Sequence, residues 1–387
     1  MDKALVKFKE FPEDFIVEEI REDYICNVSR EFPEQSKVDL KGLNQEDRRD
    51  FLHCDMEKIN IDHFSTFEIM SKILGKHLGE LGYAGTKDKN AWTCQRISIF
   101  NPDLEKLKKF IYLGICLKNF KWSKHGISIG NLSGNRFKIT LRDAGKDAIK
   151  ILKRVRNTKR LPNFFGVQRF GSLRGDNVKI GKLIFKKKFQ EAVWQLLVGY
   201  GEGESDEVKE AKKRLIKEKD INAAREYFPQ NLRQELDILN HLSEKREDWF
   251  GALTLIKKKN LLIICQSVQS KIFNDILEKV IEQEIPLHEN KIILPGYNTK
   301  ISAGQLGVIE KEVLDEHEIE INDFYTKDIP FLMFRGSYRK AFSEVRGLDV
   351  ETEDDEIFIG SKKVILSFIL DSGVYATTFL EQFFEWG

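Results

Sequence analysis

The stretch Gly82-Tyr83-Ala84-Gly85-Thr86-Lys87-Asp88-Lys89-Asn90-Ala91-Trp92-Thr93-Cys94-Gln95-Arg96 carries a single acid, Asp88. Small residues precede it, and the polar side chains Thr93, Gln95 and Arg96 follow it. Glycines let a backbone turn sharply and approach another group closely, so a carboxylate on such a loop can be presented to a substrate as a nucleophile or proton acceptor. The plainer reading is a solvated loop aspartate between two lysines, the commoner fate of such a residue taken alone.

The remaining chemistry-bearing residues narrow the choice by exclusion. Five cysteines, odd in number and scattered (Cys26, Cys54, Cys94, Cys116, Cys265), offer neither a disulfide framework nor paired zinc spacing. The seven histidines show no metal spacing, and His77 falls on a helix face. No metal or other cofactor is expected. Gly199-Tyr200-Gly201-Glu202-Gly203 follows a helix rather than a strand, which argues against a nucleotide loop.

Ser65-Thr66-Phe67-Glu68 reads as a capping box, and Ile69, Ile73, Leu74, Leu78 and Leu81 recur at helical spacing until Gly82. Arg96 to Phe100 alternates like a strand, so Asp88 is expected on a helix-to-strand connection. Phe8 to Ile20, turning at Pro12, suggests two early strands. Ile115 to Trp122 and Arg136 to Leu141 flank Gly130-Asn131-Leu132-Ser133-Gly134-Asn135-Arg136-Phe137 in a pattern that suits a hairpin. A basic helix, Ala148 to Arg156, leads to Pro162-Asn163-Phe164-Phe165-Gly166-Val167-Gln168-Arg169-Phe170-Gly171, whose phenylalanines read first as core. From about Gly171 to Pro330 the texture is helical. Lys363 to Leu370 then returns to strand character, followed by an apolar helix from Tyr375 to Trp386.

With 387 residues, 41% hydrophobic and 32% charged, the chain can bury a real core in two or three domains. It begins Met1-Asp2-Lys3 with charges where an apolar leader would stand, and no uncharged run approaches membrane-spanning length, so a cytoplasmic protein is expected. The net charge is only +1 but is unevenly placed: Lys118 to Lys182 holds 17 Lys and Arg against 3 Asp, whereas Glu310 to Asp328 holds eight acids against two lysines. A basic segment of that strength suits a phosphate backbone, although lysine runs more often solvate helix faces.

Several stretches together resemble the tRNA pseudouridine synthases of the TruD type. They are Lys9 with Pro12-Glu13-Asp14-Phe15, Gly85-Thr86-Lys87-Asp88-Lys89 with Ala91, Thr93 and Gln95, Gly134 to Phe137, and Asn163 to Gly171. Gly336-Ser337-Tyr338-Arg339-Lys340 and Ser372 to Leu380 resemble C-terminal elements of the family. The resemblance implies an α+β pseudouridine synthase fold, a mixed, mainly antiparallel sheet with helices, interrupted by a helix-rich insertion. The corresponding boundaries are a catalytic domain at 1–165 and 331–387 around an insertion at 166–330. It implies that Asp88 is the catalytic aspartate, Lys9 its basic partner, Phe137 the aromatic that stacks on the target base, and Asn135 a support for that loop. Lys87, Gln95, Arg169 and Phe165, in the matching stretches, are expected on the substrate side. The substrate implied is tRNA, with no membrane and no obligate protein partner. A catalytically inactive RNA-binding protein with the same basic surface is the rival reading, and a methyltransferase is disfavoured by the lack of a glycine loop after a strand.

Such chemistry breaks the C1′–N1 bond of uridine, turns the uracil and rejoins it through C5. The same base leaves and returns, so one carboxylate suffices where sugar hydrolysis needs two. Asp88 would attack C1′ or take the C2′ proton, and burial beneath a substrate disfavours a charged carboxylate, which calls for a nearby cation. Lys87 and Lys89 flank it in sequence, but adjacent side chains diverge on an extended backbone, so a lysine from a distant strand is the better partner. A base in folded RNA must also be extruded, and stacking on an aromatic offsets part of that cost.

Overall fold

The computed structural model describes residues 3–33, 37–171 and 175–387, without the side chain of Gln168. The first two residues of the charged start and the Gln168 side chain of the Asn163–Gly171 stretch thus lie outside the described residues. The fold is α+β with a mainly antiparallel sheet, and it divides into two compact units, 1–161 with 343–387, and 162–342. These divisions place 162–165, including Phe165, and 331–342 with the helical unit, because Phe164, Phe165, Phe334 and Phe342 pack against its core.

The first unit is built on strands β1 (Ala4–Phe8), β2 (Phe15–Arg21), β3 (Tyr24–Ile25), β4 (Phe51–Ile59), β5 (Leu81–Tyr83), β6 (Trp92–Phe100), β7 (Ile115–Ser123) and β8 (Gly134–Ala144), with Arg346–Asp354, Lys362–Asp371 and Phe384–Trp386 from the C-terminal part. Across the sheet the order is Arg346–Asp354, Lys362–Asp371, β8, β2, β6, β4, β7. The expected hairpin is therefore not formed: β7 pairs with β4 at one edge, while β8 pairs with β2 and Lys362–Asp371. Both segments alternate as strands should, but alternation does not specify the partner.

The early strands β1 and β2 do not pair with each other. They continue one another along β8, Phe8 opposite Leu141 and Phe15 opposite Ile139, so residues 9–14 loop out between them. The loop contains the 3₁₀ turn Pro12–Asp14, and Asp14 accepts two bonds of 2.9 Å from Arg142 Nε. At the C-terminus the expected long helix shrinks to Ala376–Leu380, because Phe384–Trp386 pairs in parallel with β1.

Helix α1 (His63–Leu74) starts and ends earlier than its periodicity suggests. Asp62, not Ser65, is the N-cap, its carboxylate accepting from Ser65 N at 3.0 Å, and Gly75 at φ +63° ends the helix. Leu78 and Leu81 belong to a 3₁₀ turn and to β5. Asp88 thus lies between two antiparallel strands, β5 and β6, and not on a helix-to-strand connection. Gly82 matters for a different reason from helix termination: a Cβ there would stand 2.3 Å from the Ile127 carbonyl oxygen.

Helices α1 and α2 (Lys146–Arg156) cover separate apolar clusters of the sheet, α1 with Leu52, Met56 and Ile97, α2 with Val6, Leu141 and Val350. The second unit packs its helices about Lys258–Glu282, with an antiparallel ribbon of Lys291–Leu294 and Ser337–Lys340. There the Gly199–Gly203 loop is held by buried Lys212, which donates to the Gly199 carbonyl at 2.9 Å and to Glu204 at 2.7 Å.

Candidate active site

Lys9 ends the first half of the interrupted strand in the left-handed conformation, φ +60°, a backbone state that a non-glycine residue seldom adopts without local constraint. The Lys9 ammonium then lies 3.8 Å from the centroid of the Phe15 ring and 5.3 Å from that of Phe8. It stands 3.6 Å from Asp88 Oδ1, an ion pair rather than a short hydrogen bond. The neighbourhood follows from the sheet order, because β2, starting just after Lys9, runs parallel to β6, starting just after Asp88.

Asp88 presents a side chain that is 43% exposed on a backbone that is tied down along its length. Ala84 O accepts from Gly130 N at 2.7 Å and Gly85 O from Gln95 Nε2 at 3.1 Å. Lys87 Nζ donates to Glu19 Oε2 at 2.8 Å, Asp88 O accepts from Lys58 Nζ at 2.5 Å, and Ala91 O accepts from Asn60 N at 3.2 Å. A carboxylate on a loop fixed at so many points is held in place before a substrate arrives, the arrangement that favours catalysis by positioning.

The polar run after Asp88 faces inward. Thr93, Gln95 and Arg96 are all buried on β6. Arg96 donates to Asp55 Oδ1 at 2.8 Å, and Asp55 also accepts from Tyr24 at 2.5 Å and Asn119 at 2.7 Å. Beside it Glu57 accepts from Ser29 N at 3.0 Å, Trp92 Nε1 at 2.7 Å and Lys118. These buried charges tie β4, β6, β7, β3 and the segment after it together, and burial with the Asp55 bond pushes the Tyr24 phenol well up.

Phe137 is 6% exposed, stacked on Phe368 at 5.4 Å and 6.1 Å from Phe15, so it stands behind the ring that carries Lys9. Asn135 lies opposite Glu19 across β2 and β8, its Oδ1 buried without a partner among the described residues, as is Glu19 Oε1. Asp88, Lys9, Lys87, Gln95, Asn135 and Phe137 are thus all in the first unit and clustered through these contacts. Lys87 and Gln95, expected on the substrate side, bond to Glu19 and to the Gly85 carbonyl and so face the scaffold of the loop. Arg169 and Phe165 belong to the second unit: Arg169 donates to Gln266 at 3.0 Å and Ser270 at 3.2 Å, and Phe165 lies between Phe273 and the Arg339 guanidinium.

Two residues at the site carry no signal in the motifs. Lys58, fully buried at the end of β4, donates to Asp88 O and, at 2.8 Å, to Ile61 O. His63, in the first turn of α1, is 2% exposed against Phe64, Phe67 and Tyr83, and burial pushes its imidazole down to about 4. Among the described residues no group of three or more His, Cys, Asp or Glu could hold a metal ion, and no helix is long and apolar enough to cross a membrane.

The first unit thus presents an exposed loop carboxylate, Asp88, paired to the ammonium of Lys9, which follows β1. Comparison with known proteins identifies the family of the chain. The sequence pattern described as tRNA pseudouridine synthase D (TruD) matches residues 2–292 and 290–383. Relatives described as probable tRNA pseudouridine synthase D include one from Methanopyrus kandleri, 31% identical over 84% of each chain. Another, from Thermococcus sibiricus, is 30% identical over 97% of this chain and 94% of the relative. A solved structure from Methanosarcina mazei, described as a tRNA pseudouridine synthase D, is 28% identical, covers 99% of this chain and 94% of its own, and superposes with a TM-score of 0.79. The chain belongs to the tRNA pseudouridine synthase D (TruD) family, whose members are isomerases.

Proposed function

We propose that this protein isomerises uridine to pseudouridine in tRNA, at uridine 13, the position implied by the resemblance, with Asp88 as its one catalytic carboxylate. The observation that carries the reading is the Lys9–Asp88 pair at 3.6 Å on a loop whose backbone is otherwise fixed. Lys9 supplies the carboxylate with a compensating positive charge when an extruded nucleotide covers it and displaces water. Asp88 then attacks C1′, or takes the C2′ proton, as the C1′–N1 bond breaks; the uracil turns, C5 bonds to C1′ as the Asp88–C1′ bond breaks or the proton returns to C2′, and C5 gives up its proton while N1 gains one. No water is consumed, in keeping with a site that needs no second carboxylate. Asn135 supports the β8 end of the loop, Phe137 gives the target base an aromatic neighbour, and the helical unit serves as the family-specific insertion.

The test is pseudouridine mapping on unmodified tRNA incubated with the wild type and with Asp88→Asn. The wild type forms pseudouridine at position 13 and the variant forms none while retaining tRNA affinity. Activity of the variant near that of the wild type sinks the catalytic assignment. Binding without any product from the wild type supports the rival, a catalytically inactive RNA-binding protein.

A further inference from the structure

We infer that Lys58 is a positioning residue for Asp88, holding the main chain of the catalytic aspartate from inside the fold while Lys9 pairs with its side chain from outside. The inference rests on the reading of Asp88 given above and adds a second lysine to it.

Lys58 is the penultimate residue of β4 and fully buried, an unusual place for an ammonium group. Its Nζ donates to two main-chain carbonyls, Asp88 O at 2.5 Å and Ile61 O at 2.8 Å. A buried ammonium normally takes a carboxylate partner, as Lys87 takes Glu19 at 2.8 Å and Lys212 takes Glu204 at 2.7 Å. Lys58 instead meets two neutral oxygens, one in the loop before α1 and the other at Asp88 itself. Burial pushes its ammonium down to about 8, with the nearby charges of Asp88 and Asp62 acting the other way and that of Lys87 with burial. A leucine or methionine would satisfy packing at less cost than an ammonium held this way. What the ammonium adds is a rigid joint between the end of β4, the entry to α1 and the peptide that carries the catalytic carboxylate, with its positive charge directed toward that residue.

The consequence is specific. Without Lys58 the Asp88 carbonyl loses its donor, the loop gains freedom at the residue where position matters most, and turnover falls while RNA affinity does not. A displacement of about 1 Å can cost on the order of a hundredfold in rate.

The experiment compares the wild type with Lys58→Met, which keeps the length and removes the donor, and Lys58→Gln, which keeps one N–H. Asp88→Asn serves as the inactive reference. The rate is measured in a single turnover with enzyme in excess over tRNA, beside the Kd for tRNA and the melting temperature. The expected result is a rate roughly tenfold or more below wild type for Lys58→Met, a smaller loss for Lys58→Gln, and a Kd within about twofold of wild type for both. A purely structural role would lower the melting temperature and leave the folded fraction turning over at the wild-type rate. The inference is overturned by that pattern, by rate and affinity falling together, or by neither variant folding at the assay temperature. The underlying reading fails in a different way, with no product from the wild type, and the inference then falls with it.

Discussion

The Lys87–Glu19 pair is the clearest place to separate scaffold from substrate contact. Lys87 adjoins Asp88 in a basic motif and is expected on the substrate side, yet it is 7% exposed and its ammonium lies 2.8 Å from a carboxylate that is itself fully buried. At an effective dielectric of about 20, charges at that separation attract by roughly 6 kcal/mol, and desolvation of both offsets part of this. Lys87→Met leaves Glu19 buried without its cation, with Oε1 already lacking a partner among the described residues, at a cost of about 3–5 kcal/mol. Adding Glu19→Gln removes the stranded charge, so the double variant should recover about 2 kcal/mol or more of that loss, a coupling that exposed residues do not show. The assay is denaturant unfolding of the wild type, both single variants and the double variant, with tRNA affinity measured across a salt series. Because Lys87 faces inward, the affinity and its salt dependence should be unchanged. If Lys87 touched phosphate, Lys87→Met would leave stability within about 0.5 kcal/mol and lower the slope of log K against log salt by about 1, and that outcome refutes the inward assignment.

Three further outcomes are expected. Lys9→Met should lower turnover more than tRNA affinity, since it removes the cation 3.6 Å from Asp88, and equal turnover would dissolve the pairing. His63 stays neutral in the fold down to about pH 4, whereas the unfolded chain protonates near 6.5; stability therefore falls as pH drops between those values, by about 3 kcal/mol in full, and His63→Gln should flatten the denaturant midpoint over that window. Phe137→Ala should cost about 3–5 kcal/mol as a core truncation, while Phe137→Leu keeps most of the volume, so a turnover loss in Phe137→Leu out of proportion to its unfolding free energy isolates a contribution to base stacking.

What was legible in the sequence was whatever is local. The loop acid, the strand-breaking Pro12 and the helical middle each show in short spacings. Lys9 was reachable through the resemblance, and its geometry explains why no spacing gives it: two strand halves separated by residues 9–14 lie end to end on β8, which joins Lys9 to Asp88 only through the sheet order. The helix stop moved from Gly82 to Gly75 because both glycines follow leucine-rich stretches, and only the close approach of Ile127 O to Gly82 distinguishes their tasks. Partner choice among β7, β4 and β8 is likewise non-local, since an alternating strand fits any edge that offers the complementary face.

The site's least legible property is the one that makes it a site. In β4 and β6 the residues directly opposite one another are Leu52 with Ile99, Cys54 with Ile97, Met56 with Gln95 and Lys58 with Thr93. One face of this pair therefore runs from a fully apolar end, packed on α1, to a fully polar end beside the Asp88 loop, without leaving the interior. The opposite face carries Asp55 with Arg96 and Glu57 with Cys94, also buried. A period-two pattern of charges along a strand ordinarily marks a solvated face. Here both faces are closed, and the charges are compensated by one another and by main-chain carbonyls. Such compensation is costly to assemble and destabilising to break, so it persists where a fixed geometry is worth more than an apolar core. The polar end of the face terminates at Lys58 Nζ on the Asp88 carbonyl and Gln95 Nε2 on the Gly85 carbonyl, two of the contacts that hold the loop of the exposed carboxylate.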